Sequence, residues 1–242
     1  MEPMKRALKW LALALMVLVS AAGFIGYWAF ANTKPITDGE QLAPGVVTVK
    51  DRFVTMFLLD TGPGNVALID AGLDDAALAL QAALKRRGLQ REAVTAIFLT
   101  HGHGDHTAGC KQFPDADVYA MASEVPLVGA AAKVNHPLKD GQVVELGNLS
   151  LQVFGVPGHT AGSAAFLARG VLFFGDSAGA SNARTLLRAV RLFSKDPSQN
   201  VASLKALEAR LAPRAAEIKK LAFGHAGSLD GFEPFKSFVT QP

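Results

Sequence analysis

Thr100-His101-Gly102-His103-Gly104-Asp105-His106 sets three imidazoles and a carboxylate within six positions, 101–106. It follows an apolar run, residues 94–99, that reads as a buried strand. His101 and His103 alternate, so an extended loop points both the same way. Asp105 and His106 come next, at a turn, where they can face a second point. Gly102 and Gly104 let the backbone bend tightly between them. Imidazole with carboxylate is the donor set of zinc and other borderline divalent metals. Histidine is scarce here, six in 242 residues, so three in one hexapeptide is a concentrated signal.

Three more polar residues each follow an apolar strand pattern. His159 follows residues 149–156, in Pro157-Gly158-His159-Thr160. Asp176 follows residues 171–175, and His225 follows Leu221-Ala222-Phe223-Gly224. Strands that end at one edge of a sheet would gather these loops, the usual place for a site in layered α/β proteins. Other strand patterns lie at 46–49, 53–59, 66–69, 143–146, 164–168 and 219–223. Helices are expected at 74–87, with Asp74 as N-cap and Gly88 as stop, and at 198–211. Early strands with little helix, then mixed strands and helices, predict an α/β or α+β layered domain.

Composition narrows the class. Hydrophobic residues make up 50% and charged residues 19%, which excludes a disordered chain. A single cysteine, Cys110, excludes an internal disulfide and a Cys-rich zinc finger. Residues 10–31 carry no charge, and as a helix they would reach about 33 Å, close to a bilayer's hydrocarbon thickness. Lys5, Arg6 and Lys9 precede them, so a transmembrane anchor would leave the following domain extracytoplasmic, on the periplasmic or extracellular side. The rival reading is a signal peptide cleaved after Ala29-Phe30-Ala31, which would make the domain secreted. The expected organisation is an anchor at 1–31, a linker at 32–44 and one domain at 45–242. Beyond residue 31 there are 21 basic and 20 acidic residues, so charge makes no case for nucleic acid as a partner.

Five pieces occur in order: Leu68-Ile69-Asp70-Ala71-Gly72, the 101–106 motif, Pro157-Gly158-His159-Thr160-Ala161-Gly162-Ser163, Phe174-Gly175-Asp176-Ser177 and Gly224-His225. Together they resemble the metallo-β-lactamase superfamily over most of 45–230. The resemblance implies a four-layer αββα sandwich, two mixed β-sheets flanked by helices. It implies one metal on His101, His103 and His159 and a second on Asp105, His106 and His225, with Asp176 bridging. Two Zn2+ per chain are expected, with iron or manganese as alternatives. Asp70 resembles the family's buried aspartate beneath the site, which supports a ligand without binding metal. Two such metals polarise a carbonyl or phosphoryl oxygen and lower a water's pKa from 15.7 to about 7, giving a bridging hydroxide. Asp105, as the catalytic residue, would orient that nucleophile and pass its proton to the leaving group. The implied function is a zinc-dependent hydrolase of a small-molecule ester, lactone, thioester or phosphoester. The alternative is a mononuclear iron oxidoreductase of the persulfide dioxygenase kind, which shares these ligand motifs. A non-catalytic metal-binding protein is the third reading; seven intact ligands argue against it.

Departures from the family sharpen the expectation. True β-lactamases of the family lack an aspartate at the Asp176 position. Glyoxalase II relatives carry a C-terminal helical domain that holds glutathione; 17 residues follow His225, so that domain is expected to be missing. Nucleic-acid-processing members carry a large inserted domain for which there is no room. Flavodiiron members have glutamate where this chain has His103. Lactonase relatives often use a pocket tyrosine, and outside the anchor the one candidate is Tyr119. Arg184, Arg188, Arg191 and Lys195 are spaced by four, three and four, which predicts one helical face, either solvated or turned to an anionic substrate or lipid. Cys110 reads as a small packed residue and His136, before Pro137, as part of a loop.

Overall fold

The computed structural model describes residues 31–240 together with Arg6, Trp10, Met16 and Val17. The expected anchor or signal segment, 1–31, lies almost wholly outside the described residues; among those described, no helix is long and apolar enough to cross a membrane. The chain divides into two units, Met1–Thr33 and Lys34–Pro242. All elements below belong to the second.

One sheet runs in chain order: β1 (Gln41–Ala43), β2 (Val46–Asp51), β3 (Val54–Gly62), β4 (Asn65–Ile69), β5 (Val94–Phe98), β6 (Asp117–Met121) and β7 (His136–Leu138). Neighbours are antiparallel from β1 to β4 and parallel from β4 to β7. The remaining strands are β8 (Val143–Leu146), β9 (Leu149–Gly155), β10 (Ala164–Ala168), β11 (Val171–Phe173), β12 (Ala178–Ala180), β13 (Leu186–Arg188), β14 (Lys220–Ala222) and β15 (Leu229–Asp230). A second sheet has the order β15-β14-β11-β10-β9-β8, with β11 and β14 parallel, while β12 and β13 form a separate hairpin. The α-helices are α1 (Leu78–Arg86), α2 (Gly104–Thr107), α3 (Val125–Val128), α4 (Pro197–Leu211) and α5 (Glu233–Thr240).

Period-two alternation decides the layering. Along β3, Phe57 and Leu59 face β10 and β11 residues such as Phe166 and Phe173 in one buried cluster. Met56 and Leu58 point the other way, against Leu80, Ala83 and Leu84 of α1. The outer face of the second sheet, Phe154, Leu172 and Phe174, packs on Leu204, Leu207 and Leu211 of α4 and Phe235 of α5. Three apolar seams make four layers, helix-sheet-sheet-helix, as the resemblance implied.

Several expectations need correction. The stretch 32–44, read as a linker, contains β1, and the Lys34 amide donates to the Ala180 carbonyl at 2.8 Å. The first long helix starts at Leu78, because Asp74 spends its carboxylate on the amides of Ala76 and Leu78 and Ala77 sits at φ 50°. Asp74 thus caps a turn before the helix. α4 begins at Pro197, with Asp196 accepting from the Ser198 and Gln199 amides. The basic stripe is not one helical face: Arg188 ends β13, Arg191 opens a 3₁₀ turn, and Arg184 has φ 61° in the hairpin turn. Burial of Leu186 and pairing with β12 outweigh the helical spacing. His136 lies on β7, not in a loop, stacked on Tyr119 at 4.6 Å and 3.2 Å from Asp117. Tyr119 itself belongs to the core between the sheets, against Phe98. Cys110 is buried, and burial pushes its thiol up to about 12, which suits a packed residue and not a nucleophile.

Phe173 is fully buried and meets Phe57 edge-on at 4.9 Å between ring centroids. Phe173→Ala should therefore cost about 3–5 kcal/mol in a urea unfolding series. A loss below about 1 kcal/mol would contradict an inter-sheet core at this position.

Candidate metal centre

The residues singled out in the sequence sit just beyond strand ends. Asp70 follows β4; His101 and His103 follow β5, and Asp105 and His106 lie in α2. His159 follows β9, Asp176 follows β11 and His225 follows β14. β4 and β5 are parallel, and β9, β11 and β14 share one direction in the second sheet. Their C-terminal ends therefore open on one edge of the sandwich, and the structure brings all seven proposed donors together there.

His101 Nε2 and His159 Nε2 each lie 3.1 Å from His103 Nδ1. Three nitrogens about 2.0–2.1 Å from one tetrahedral cation would stand roughly 3.4 Å apart, so the triangle is slightly tight and of the right kind. Asp105 Oδ2 lies 3.2 Å from His225 Nε2 and 3.8 Å from His106 Nε2. Asp176 stands between the two sets. Its Oδ1 is 3.2 Å from His106 Nε2, and its Oδ2 is 3.1 Å from His225 Nε2, 3.6 Å from His159 Nε2 and 3.9 Å from His101 Nε2. Three groups of donor atoms, each within 4.8 Å, can hold a cation: His101/His103/His159, His101/His106/Asp176 and Asp105/His106/His225.

Two observations fit a divalent cation here. His106 Nε2 and Asp176 Oδ1 are both buried and face each other at 3.2 Å without well-formed hydrogen-bond geometry, an arrangement that a cation between them would satisfy. A Cβ at Gly224 would come within 2.3 Å of Asp176 Oδ1 and 2.8 Å of His106 Cε1, so any side chain there would crowd the donors.

Supporting hydrogen bonds aim the rings. Asp70, in the left-handed region at φ 59°, accepts from the Thr100 amide, the Thr100 hydroxyl and His106 Nδ1, each at 2.8 Å. That leaves His106 Nε2 for the site. The Thr100 hydroxyl also accepts from His101 Nδ1 at 3.1 Å, and the Phe53 carbonyl accepts from His225 Nδ1 at 2.9 Å. The Ser194 hydroxyl lies 3.3 Å from His159 Nδ1. Sequence reading passed over Thr100 in this role, Ser194, and above all Glu124. Glu124 is 1% exposed. Its carboxylate accepts from the Gly102 amide at 2.8 Å, the Gly162 amide at 2.7 Å and the Thr160 hydroxyl at 3.0 Å, tying the 101–103 loop to the His159 loop. In Ala122-Ser123-Glu124 nothing distinguishes it from a surface acid.

Charges in the cluster compensate one another. Burial pushes His101 well below its usual value and His159 down to about 4, so both rings are neutral. Burial also opposes charge on His106 and His225, but Asp176 outweighs it, helped by Asp70 at His106 and by Asp105 at His225. His106 is held well above the usual range and His225 at about 10. Burial likewise opposes ionisation of Asp176 and Asp105, and the neighbouring imidazolium groups win, holding both carboxyls low.

These directions give a measurable consequence. At pH 7 His106 and His225 carry protons that a cation must displace, so metal uptake by the apoprotein should release about two protons per chain. Affinity should rise with pH up to about 10, where His225 loses its proton unaided. Titration calorimetry in two buffers of different ionisation enthalpy measures the release; none at pH 7 would contradict the charge pattern. Separately, Glu124→Gln removes the charge that holds two loops and should weaken metal binding about 10- to 100-fold in a chelator competition, with unchanged affinity as the contrary result.

Comparison with known proteins agrees with this geometry. Residues 49–225 match the family described as the metallo-beta-lactamase superfamily. The chain is 36% identical over 127 residues to a hydroxyacylglutathione hydrolase of Photobacterium profundum, covering 50% of this chain and 46% of that one. It is 32% identical over 182 residues to the enzyme of the same name from Halorhodospira halophila, covering 71% of this chain and 60% of that one. The chain thus spans roughly half the length of the curated relatives it matches. Among solved structures, a metallo-beta-lactamase family protein of Thermus thermophilus superposes with a TM-score of 0.60 at 26% identity, covering 82% of this chain and 79% of that one.

Proposed function

The chain belongs to the metallo-β-lactamase superfamily, and we propose that it is a metal-dependent hydrolase of a small acyl ester or thioester. One observation carries this reading: seven imidazole and carboxylate groups from four strand ends meet in three overlapping donor sets. A scaffold has no use for such a set at an open sheet edge. Among ester, lactone, thioester and phosphoester bonds, the thioester is supported by the relatives named hydroxyacylglutathione hydrolase. Zinc is supported by the imidazole-rich donor chemistry.

His101, His103 and His159 would hold one cation and Asp105, His106 and His225 a second, with Asp176 between them. When bound, such cations supply Lewis acidity toward the acyl oxygen and acidify water. Asp70 and Thr100 keep the rings of His106 and His101 in one orientation, so the donors need not reorganise during turnover. Asp105 is ionised and its side chain is 25% exposed, so it can hold a proton taken from the attacking water and return it to the leaving group. The uncharged run at 10–31 behind Lys5, Arg6 and Lys9 supports membrane anchoring and an extracytoplasmic domain.

The test is metal quantification on the full chain, followed by a chromogenic panel of carboxyl esters, lactones, thioesters, phosphodiesters and a cephalosporin. Asp105→Ala and His106→Ala should each lower kcat/KM by about 10²- to 10⁴-fold while circular dichroism stays native. Full activity in either variant, or inactivity of the metal-loaded protein on every substrate, would overturn the proposal.

A further inference from the structure

Resting on the hydrolase reading above, we infer that the substrate joins an apolar acyl chain of several carbons to an anionic leaving group, and that Phe53, Leu127, Leu192 and Phe193 receive the chain while Arg191 and Lys195 face the anion.

The apolar part follows from where exposed hydrophobic residues fall. Within 31–240, seven large apolar side chains are exposed, and five of them, Phe53, Val125, Leu127, Leu192 and Phe193, adjoin the loops of the metal centre. Leu78 and Val143 lie elsewhere, on α1 and β8. Scattered single exposures are ordinary, but a group at one opening marks a binding surface. Specific contacts tie this group to the site. The Phe53 ring stacks on His225 at 5.7 Å and 22°. Leu127 of α3 crowds the backbone between His101 and His103: a Cβ at Gly102 would lie 2.9 Å from its carbonyl carbon and 3.0 Å from its Cγ. This contact explains the glycine better than the tight bend expected of it, since Gly102 is not among the residues with positive φ. Leu192 and Phe193, 64% and 48% exposed, immediately precede Ser194, whose hydroxyl meets His159. Apolar groups thus border the donors on the His225, His103 and His159 sides. A site of this kind, mostly apolar with a few polar groups at the reacting end, suits an acyl chain.

The anionic part follows from charge. The Lys195 amide donates to the His159 carbonyl at 2.9 Å and the Ser194 hydroxyl meets its ring, so the end of the 191–195 segment lies against a proposed ligand. Arg191 and Lys195 are exposed, and neither side chain takes part in an ion pair found among the described residues. The adjacent acid, Asp196, is occupied in capping α4. Arg184 is set apart from the pair by its place in the hairpin turn near Asp230. The reaction balances without a further reagent: water supplies oxygen to the acyl carbon, the carbon–sulfur or carbon–oxygen bond breaks, and the proton lost by water goes to the departing thiolate or alkoxide.

A thioester series tests this on the metal-loaded full chain. Acetyl, hexanoyl and decanoyl groups are each placed on a neutral thiol, a carboxylate-bearing thiol and a phosphate-bearing thiol, below their micellar concentrations. We expect kcat/KM to rise at least about ten-fold from acetyl to decanoyl. Leu127→Ser and Phe193→Ser should cut that ratio several-fold. Arg191→Glu with Lys195→Glu should raise KM on the anionic thiols more than on the neutral one, and the larger effect identifies carboxylate or phosphate as the anion recognised. A flat or falling chain-length profile with the acetyl compounds still cleaved overturns this inference alone. A flat profile together with loss of binding to anionic vesicles in the same variants assigns the rim to a lipid surface and also overturns it. Inactivity on every arm overturns the hydrolase reading and the inference with it.

Discussion

The hydrogen bond from His106 Nδ1 to Asp70 is the contact on which the site's geometry depends. Asp70 sits in a strained left-handed conformation at the end of β4, and its carboxylate reaches the neighbouring parallel strand's loop through the Thr100 amide and hydroxyl. One buried acid therefore sets the path of two strand ends and the direction of one imidazole. Local strain persists only where surroundings over-determine it, and three hydrogen bonds to one carboxylate do that here. The cost is a carboxyl group taken out of water, offset by the three donors that meet it.

The rest of the architecture serves to hold such groups still. Two sheets sealed by three apolar seams make a rigid frame, and the donors ride on short loops at strand ends, where backbone amides need not be paired within a ladder. The loops are then tied sideways by buried polar groups. Glu124 joins the 101–103 loop to the His159 loop, and the Lys34 carbonyl accepts from the Gly227 amide just beyond His225. The stretch read as a linker thereby helps to fix a proposed ligand loop. Exposed apolar residues around the opening are the counterpart: they are left unburied where the frame ends and a substrate can enter.

Much of this was legible from residue order, for reasons that are local. Strands β2 to β5 and β8 to β11 announce themselves through period-two or continuous apolar runs, because a side chain's face follows from its position along an extended backbone. The histidine-rich hexapeptide and the polar residues directly after strands are legible for the same reason. β7 is not, since three residues with a proline carry no pattern, and β13 is hidden because its arginine spacing fits a helix as long as its pairing with β12 is unknown. Asp74 showed the capping chemistry expected of it, yet the helix began four residues later because Ala77 turns left-handed.

Glu124 marks the boundary most clearly. Its residue type and neighbours are those of any solvated acid, and its role comes entirely from burial against two loops far away in the chain. The same holds for which exposed hydrophobic residues border the site and which cations lack an acidic partner. Periodicity and donor chemistry are properties of short stretches, so they survive in a linear string of residues. Desolvation, charge compensation and close approach depend on distances between segments, which come into being when the two sheets close on one another.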